Sequence, residues 1–184
     1  MVAISIYAIS PLSPRYFCQY RLKAQDYTSA IRIFAQDNGE VSLTALEASL
    51  RATLRAQVVP TAEDKRLFGR TDLPFAISHG TLIPMGFSST LDDALSQSVE
   101  HAINMITAMF EMPRQQVYLL LSAAIDFDVT QAVDITKGVH GLIDLSMFQQ
   151  LPAYERTIRD IGNSRRTAMR RMPYWPSRLR QVTD

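Results

Sequence analysis

Of the 184 residues only Cys18 is a cysteine, so no internal disulfide can close and no C-x-x-C metal or redox spacing can occur. Long apolar runs are missing too. None approaches the roughly 18 residues that a bilayer-spanning helix needs. The apolar start, MVAISIYAI, has no preceding Lys or Arg and no small-residue cleavage site, so a secretory signal is not expected and cytoplasm is the expected location. Several catalytic signatures are absent as well. Gly86-Phe87-Ser88 runs into Ser89 and not into the second glycine of a nucleophile elbow. No Gly/Ser-rich nucleophile loop is found, and Cys18 precedes every segment that could supply it with catalytic partners. His79, His101 and His140 are isolated, with no H-x-x-x-H spacing to make a metal site.

Apolar residues make up 47% and charged residues 20%, the balance of a globular chain that can bury a core and fits one domain. The formal charge of +1 hides an asymmetry: residues 149–184 hold eight arginines, from Arg156 to Arg180, against three acids. No nucleic-acid module accompanies that charge, so a solvated or interface-forming tail is expected and nucleic acid is not the expected partner.

Two periodicities organise the middle of the chain. From Leu46 to Val58 every even position is apolar and the intervening residues are polar, which predicts a strand with Leu50 and Leu54 buried and Arg51 and Arg55 exposed. Shorter strands are expected over residues 16–23 and 29–34, and Asp37-Asn38-Gly39 reads as a turn that leads Glu40 into the long strand. Residues 60–74, with Pro60, Pro74 and six charged residues, read as a surface loop. From Thr90 to Glu111 the period becomes 3.6, with Leu91, Ala94, Leu95, Ala102, Ile106 and Met109 on one stripe and Thr90 as the N-cap. Pro113 opens a second helix through Ala124. Phe127, Val129, Gln131 and Val133 then alternate with polar residues over most of their length, and a turn at Thr136-Lys137-Gly138 leads to a last strand, Val139 to Leu145. The order of elements predicts an α+β fold.

A carboxylate just past a glycine turn is placed to accept a proton from water or to bind a cation, which singles out Glu40. Its segment, AQDNGEVSLTALE at 35–47, resembles the H-x-x-Q-G-D-G-E-V and G-T-A-I-E signature of the acetamidase/formamidase family, with Gln36, Gly39, Glu40, Val41 and Glu47 in register. IPMGFSSTLDDAL at 83–95 and YLLLSAAIDFDVTQAVDITKGV at 118–139 resemble later segments of the same family. Ile33 stands where the family has its histidine, and Asp37-Asn38 stand where it has Gly-Asp.

The resemblance covers residues 28–146 and matches the C-terminal part of the family's longer chains, leaving 1–27 unassigned and 147–184 as an arginine-rich tail. It implies a jelly-roll-like β-sandwich with a helical C-terminal subdomain, assembling into homo-oligomers. The implied activity is hydrolysis of formamide, acetamide or a similar short amide to carboxylate and ammonia. Glu40 would be general base or metal ligand, with Gln36, Asp37, Asn38 and Glu47 around the substrate, and a divalent metal ion of unspecified identity as cofactor. The alternative implied by Ile33 is a catalytically degenerate member acting as a binding or assembly subunit.

Overall fold

The computed structural model describes the backbone of residues 3–9, 17–20, 33–35, 38–42, 46–47, 53–55, 58–59, 66–69, 73–133 and 135–170, and side chains within 38–42, 66–69, 73–133 and 135–163. Ten strands occur in these segments: β1 (Ala3–Ile9), β2 (Phe17–Tyr20), β3 (Ile33–Ala35), β4 (Leu46–Glu47), β5 (Thr53–Arg55), β6 (Val58–Val59), β7 (Phe75–Ser78), β8 (Thr81–Ser88), β9 (Asp126–Gln131) and β10 (Lys137–Asp144). Three longer helices accompany them, α1 (Leu91–Phe110), α2 (Arg114–Ala124) and α3 (Tyr154–Arg170), with a short 3-10 helix at Leu145–Phe148 and, inside the stretch expected as a surface loop, a helical turn at 66–68 that buries Leu67 and Phe68. The fold is α+β. Eight strands form one antiparallel sheet in the order β5-β1-β2-β7-β8-β10-β9, with β6 also on β1, and β3-β4 form a separate ladder.

The alternation over 46–58 meets extended backbone at 46–47, 53–55 and 58; residues 48–52 and 56–57 lie outside those described, and 53–55 and 58–59 keep a single register along β1, with Tyr7 opposite Arg55 and Ile4 opposite Val58. β4 pairs with β3, whereas β5 and β6 both pair with β1. A period of two fits any strand and is silent about its partner. The side chains of Leu50, Arg51, Leu54 and Arg55 lie outside those described. Glu40, expected at the start of the long strand, is instead followed by irregular backbone and a bend at Ser42.

Helix α1 begins and ends where its sequence signals stand. Thr90 Oγ1 accepts the Asp93 N–H at 3.2 Å, and Asp92 and Asp93 sit at the positive end of the helix dipole. The helix closes at Glu111, whose φ of 57° is left-handed and whose N–H donates to Thr107 O at 3.0 Å. The buried stripe keeps Ala94, Ala102, Ile106 and Met109 of the expected one but is rotated away from its two leucines in the first turns. Leu91 and Leu95 are 36% and 40% exposed, while Ala94, Ser98 and His101 are buried.

Gly86 of β8 explains the rotation. A Cβ built there would lie 2.1 Å from Ala94 O and 2.5 Å from Ser98 N, so the helix backbone rests on bare strand. Only small residues fit at that approach, and the leucines flank it. Ser98 Oγ donates to Pro84 O at 3.1 Å and His101 Nδ1 lies 3.2 Å from Met85 O, so two polar residues are buried with backbone partners.

The remaining helices complete this core. Pro113 precedes α2 at φ −57°, as its ring requires, and Val117 and Leu121 are buried. Arg114 of α2 donates to Asn104 Oδ1 and Glu100 Oε1 of α1 at 2.5 and 2.7 Å. Part of the arginine-rich segment, expected as tail, joins the core: Phe148 stacks on Phe110, and Ala153, Thr157 and Ile161 are buried. The turn expected at 136–138 falls earlier. Bends occupy 132–133 and 135–136, and β10 already starts at Lys137. Among the described residues no helix is long and apolar enough to cross a membrane.

Candidate functional site

Helix α1 covers one face of β8, that of Leu82, Pro84 and Gly86. In β10, Val139 pairs with Gly86 and His140 with Met85, so alternation turns His140 to the opposite face. Asp128 of β9 is the cross-strand neighbour of His140 and shares that face. Next to them the ladder is irregular. Gln131 pairs with Gly138 and Val129 with Val139, which leaves Thr130 as an extra residue without an opposite number, a β-bulge. Thr130 Oγ1 lies 2.7 Å from His140 Nδ1.

The turn that bears Glu40 docks on this arrangement. Asn38 Nδ2 donates to Asp128 Oδ2 at 3.1 Å, and Ala132 N–H donates to Gly39 O at 3.0 Å. Gly39 and Glu40 have φ of 100° and 31°, two successive left-handed residues that swing the chain out of the turn. For a glutamate that backbone is costly, on the order of 1 kcal/mol, and residues held this way concentrate at functional sites. Glu40 is half-buried. Val41 and Ile135, on the two docked loops, are 86% and 96% exposed.

His140 is only 8% exposed. Burial pushes its pKa below the ordinary histidine value, against the opposing pull of the Asp128 charge, so the ring is held neutral near pH 7. The other two histidines play no part here. His101 is a core residue edge-on to Phe75, and exposed His79 sits in the β7–β8 hairpin turn with Nδ1 3.0 Å from Ser78 Oγ.

Of the residues singled out in the sequence, Asn38 therefore touches Asp128, the cross-strand neighbour of His140, and Glu40 stands two residues along the same docked turn. Gln36 and Asp37 lie outside the described residues. Glu47 is placed only by its backbone, opposite Ile33 in the β3–β4 ladder. Asp128 and Thr130 had no sequence motif to announce them. The sequence alternation counts Gln131 in step with Phe127 and Val129, and the bulge at Thr130 breaks that step.

Among the described residues no three His, Cys, Asp or Glu side chains stand together as a metal site. A cavity of about 270 Å³ lies elsewhere, between the end of α1 and α3. Its charges are compensated internally, Arg66 with Asp160 at 3.0 Å and Arg156 with Glu111 at 2.5 Å, so it reads as a clamp on α3.

No family model matches the chain, and no curated protein does. Solved structures do match. The fold is similar to that of an acetamidase from Bacillus halodurans, with a TM-score of 0.56 and 23% identity over 65% of this chain and 38% of that one. It is also similar to a recombinant predicted acetamidase/formamidase from the thermophile Thermoanaerobacter tengcongensis, with a TM-score of 0.51 and 15% identity over 64% of this chain and 36% of that one. At such identities the likeness is one of fold, and the chain spans well under half the length of either neighbour.

Proposed function

We propose that the chain carries the site of a hydrolase acting on carbon–nitrogen bonds other than peptide bonds, which cleaves a short amide such as formamide or acetamide to carboxylate and ammonia. One observation carries the reading. The two stretches that resemble the acetamidase/formamidase family, 35–47 and 118–139, meet in space through the Asn38–Asp128 hydrogen bond at 3.1 Å and the Gly39–Ala132 bond at 3.0 Å. The fold likeness to solved acetamidases supports it from outside the site.

In this reading Glu40 is the proton acceptor that readies water for attack, Asn38 orients the turn, and Gln36, Asp37 and Glu47 form the wall around the amide. A divalent ion would draw on oxygens of the 36–40 turn. The sheet and the β3–β4 ladder would be layers of a jelly-roll-like sandwich, and the active form a cytoplasmic homo-oligomer. A specific observation favours a second reading, a degenerate member that binds or assembles without turnover: apolar Ile33 faces Glu47 across β3–β4, where the resemblance calls for a histidine.

The test is ammonia release from formamide and acetamide by the purified chain beside its Glu40→Gln variant. The expected result is release by the parent and a loss of about 10² to 10⁴ in the variant, the usual cost of removing a general base. Equal release would remove Glu40 from the mechanism. None from either protein would favour the second reading.

A further inference from the structure

We propose that Thr130 and His140 form a hydroxyl-activation site, beside Asp128, in which Thr130 Oγ1 accepts a short carboxylic acyl group and His140 is its base. The inference rests on the hydrolase reading for its substrate class; it adds a nucleophile and a covalent step, and it gives the proton of the attacking water to His140 in place of Glu40. Three features of the fold converge on it.

The first is the bulge. A strand in regular register would pair residue 130 with its neighbour, but the shift at Gly138/Val139 releases Thr130 from the ladder and directs its side chain locally. The second is the contact itself, Oγ1 to Nδ1 at 2.7 Å, within hydrogen-bond reach of a nucleophile and its base. The third is the surroundings. His140 is buried and held neutral, ready to take a proton, while Thr130 is only half-buried. The Asp128 carboxylate, across the ladder from the ring, offsets the positive charge that appears on His140 when the proton arrives.

In the step so defined, the neutral ring carries its hydrogen on Nε2 and the Thr130 hydroxyl donates to Nδ1. Oγ1 attacks the carbonyl carbon as its proton passes to Nδ1. A carbon–oxygen bond forms, the carbon–nitrogen bond breaks, and His140 returns the proton to the departing ammonia. Water then adds to the threonyl ester and gives its proton to Nδ1. The ester bond breaks, Thr130 recovers its hydrogen, and the carboxylic acid leaves. No oxidant, reductant or metal enters the balance.

The experiment uses para-nitrophenyl acetate, whose good leaving group makes the acylation step visible even where amide turnover is slow. The full-length protein is mixed with the ester, para-nitrophenolate is followed by absorbance, and the quenched protein is mapped by peptide mass spectrometry. The expected result is a burst of one nitrophenolate per chain with a single acetyl group on Thr130. Thr130→Val and His140→Gln should lower the burst rate by about 10² or more, and Thr130→Ser should keep it, circular dichroism confirming that all three are folded. An acetyl group found only elsewhere, or a burst unchanged in Thr130→Val, overturns the proposal. Ammonia release from acetamide with no acetyl-threonine also overturns it and leaves the hydrolase reading standing. Acetyl-threonine without ammonia release upholds the site and sinks amide hydrolysis.

Discussion

His140 gives the sharpest prediction for a single residue. Its folded pKa lies below the ordinary value of 6.5, so the unfolded chain takes up a proton at a higher pH than the folded one does. The stability tied to its neutral form is complete above pH 6.5 and is lost as pH falls from there through the folded value. Melting temperature should therefore drop between pH 7.5 and 5.5, and His140→Gln, which cannot protonate, should flatten that slope. A slope unchanged in the variant would place the titration elsewhere. Gly86→Ala tests a different contact. Its methyl group would meet helix backbone at 2.1 Å, which cannot yield by rotating a side chain, so a loss of about 1–3 kcal/mol is expected from thermal unfolding. Neither role was legible in the sequence. His140 is one of three isolated histidines there, and a glycine that lets a helix touch a strand looks like any glycine in a strand.

At the scale of elements, α1 was legible because its limits are written in local chemistry. Thr90, the paired aspartates and the 3.6-residue period act within a few residues of one another. Thr90→Ala should cost about 1 kcal/mol, read as a lower denaturant midpoint. Ile106, fully buried in this helix, should not tolerate Asp: an unpaired carboxylate there should cost on the order of 4 kcal/mol or more. The rotation of the stripe was not legible, since it depends on Gly86 of another element. Helix α3 was missed for the same reason. Its arginines dominated the reading, while the side that docks shows Thr157 and Ile161 buried, with Tyr154 and Ile158 half-buried against the core. Thr157 Oγ1 donates to Met109 O at 2.6 Å from a buried position, whereas Arg156 is exposed. Thr157→Val should thus lower the melting temperature by the equivalent of about 1 kcal/mol, and Arg156→Ala should hardly change it. The reverse order would mean that the ion pairs hold the helix.

Across the whole molecule, the sequence carried the α+β class and the order of its elements, because helix and strand periods are local. Which strands meet is a long-range matter. The pairings of β5 and β6 with β1, and the docking of residues 38–42 onto β9, depend on contacts many tens of residues apart, and no period encodes those. The resemblance to known amidases reached one step further, since two of its segments turn out to touch. The central claim is that this junction holds a short amide. Titrating acetamide into the isotope-labelled chain and following backbone amide signals by nuclear magnetic resonance tests that most directly. Shifts gathered at residues 38–42, 128–131 and 140 are the predicted result. Shifts confined to the cavity of Arg66 and Arg156, or none at acetamide concentrations that saturate ordinary enzymes, roughly 1 mM, would contradict it.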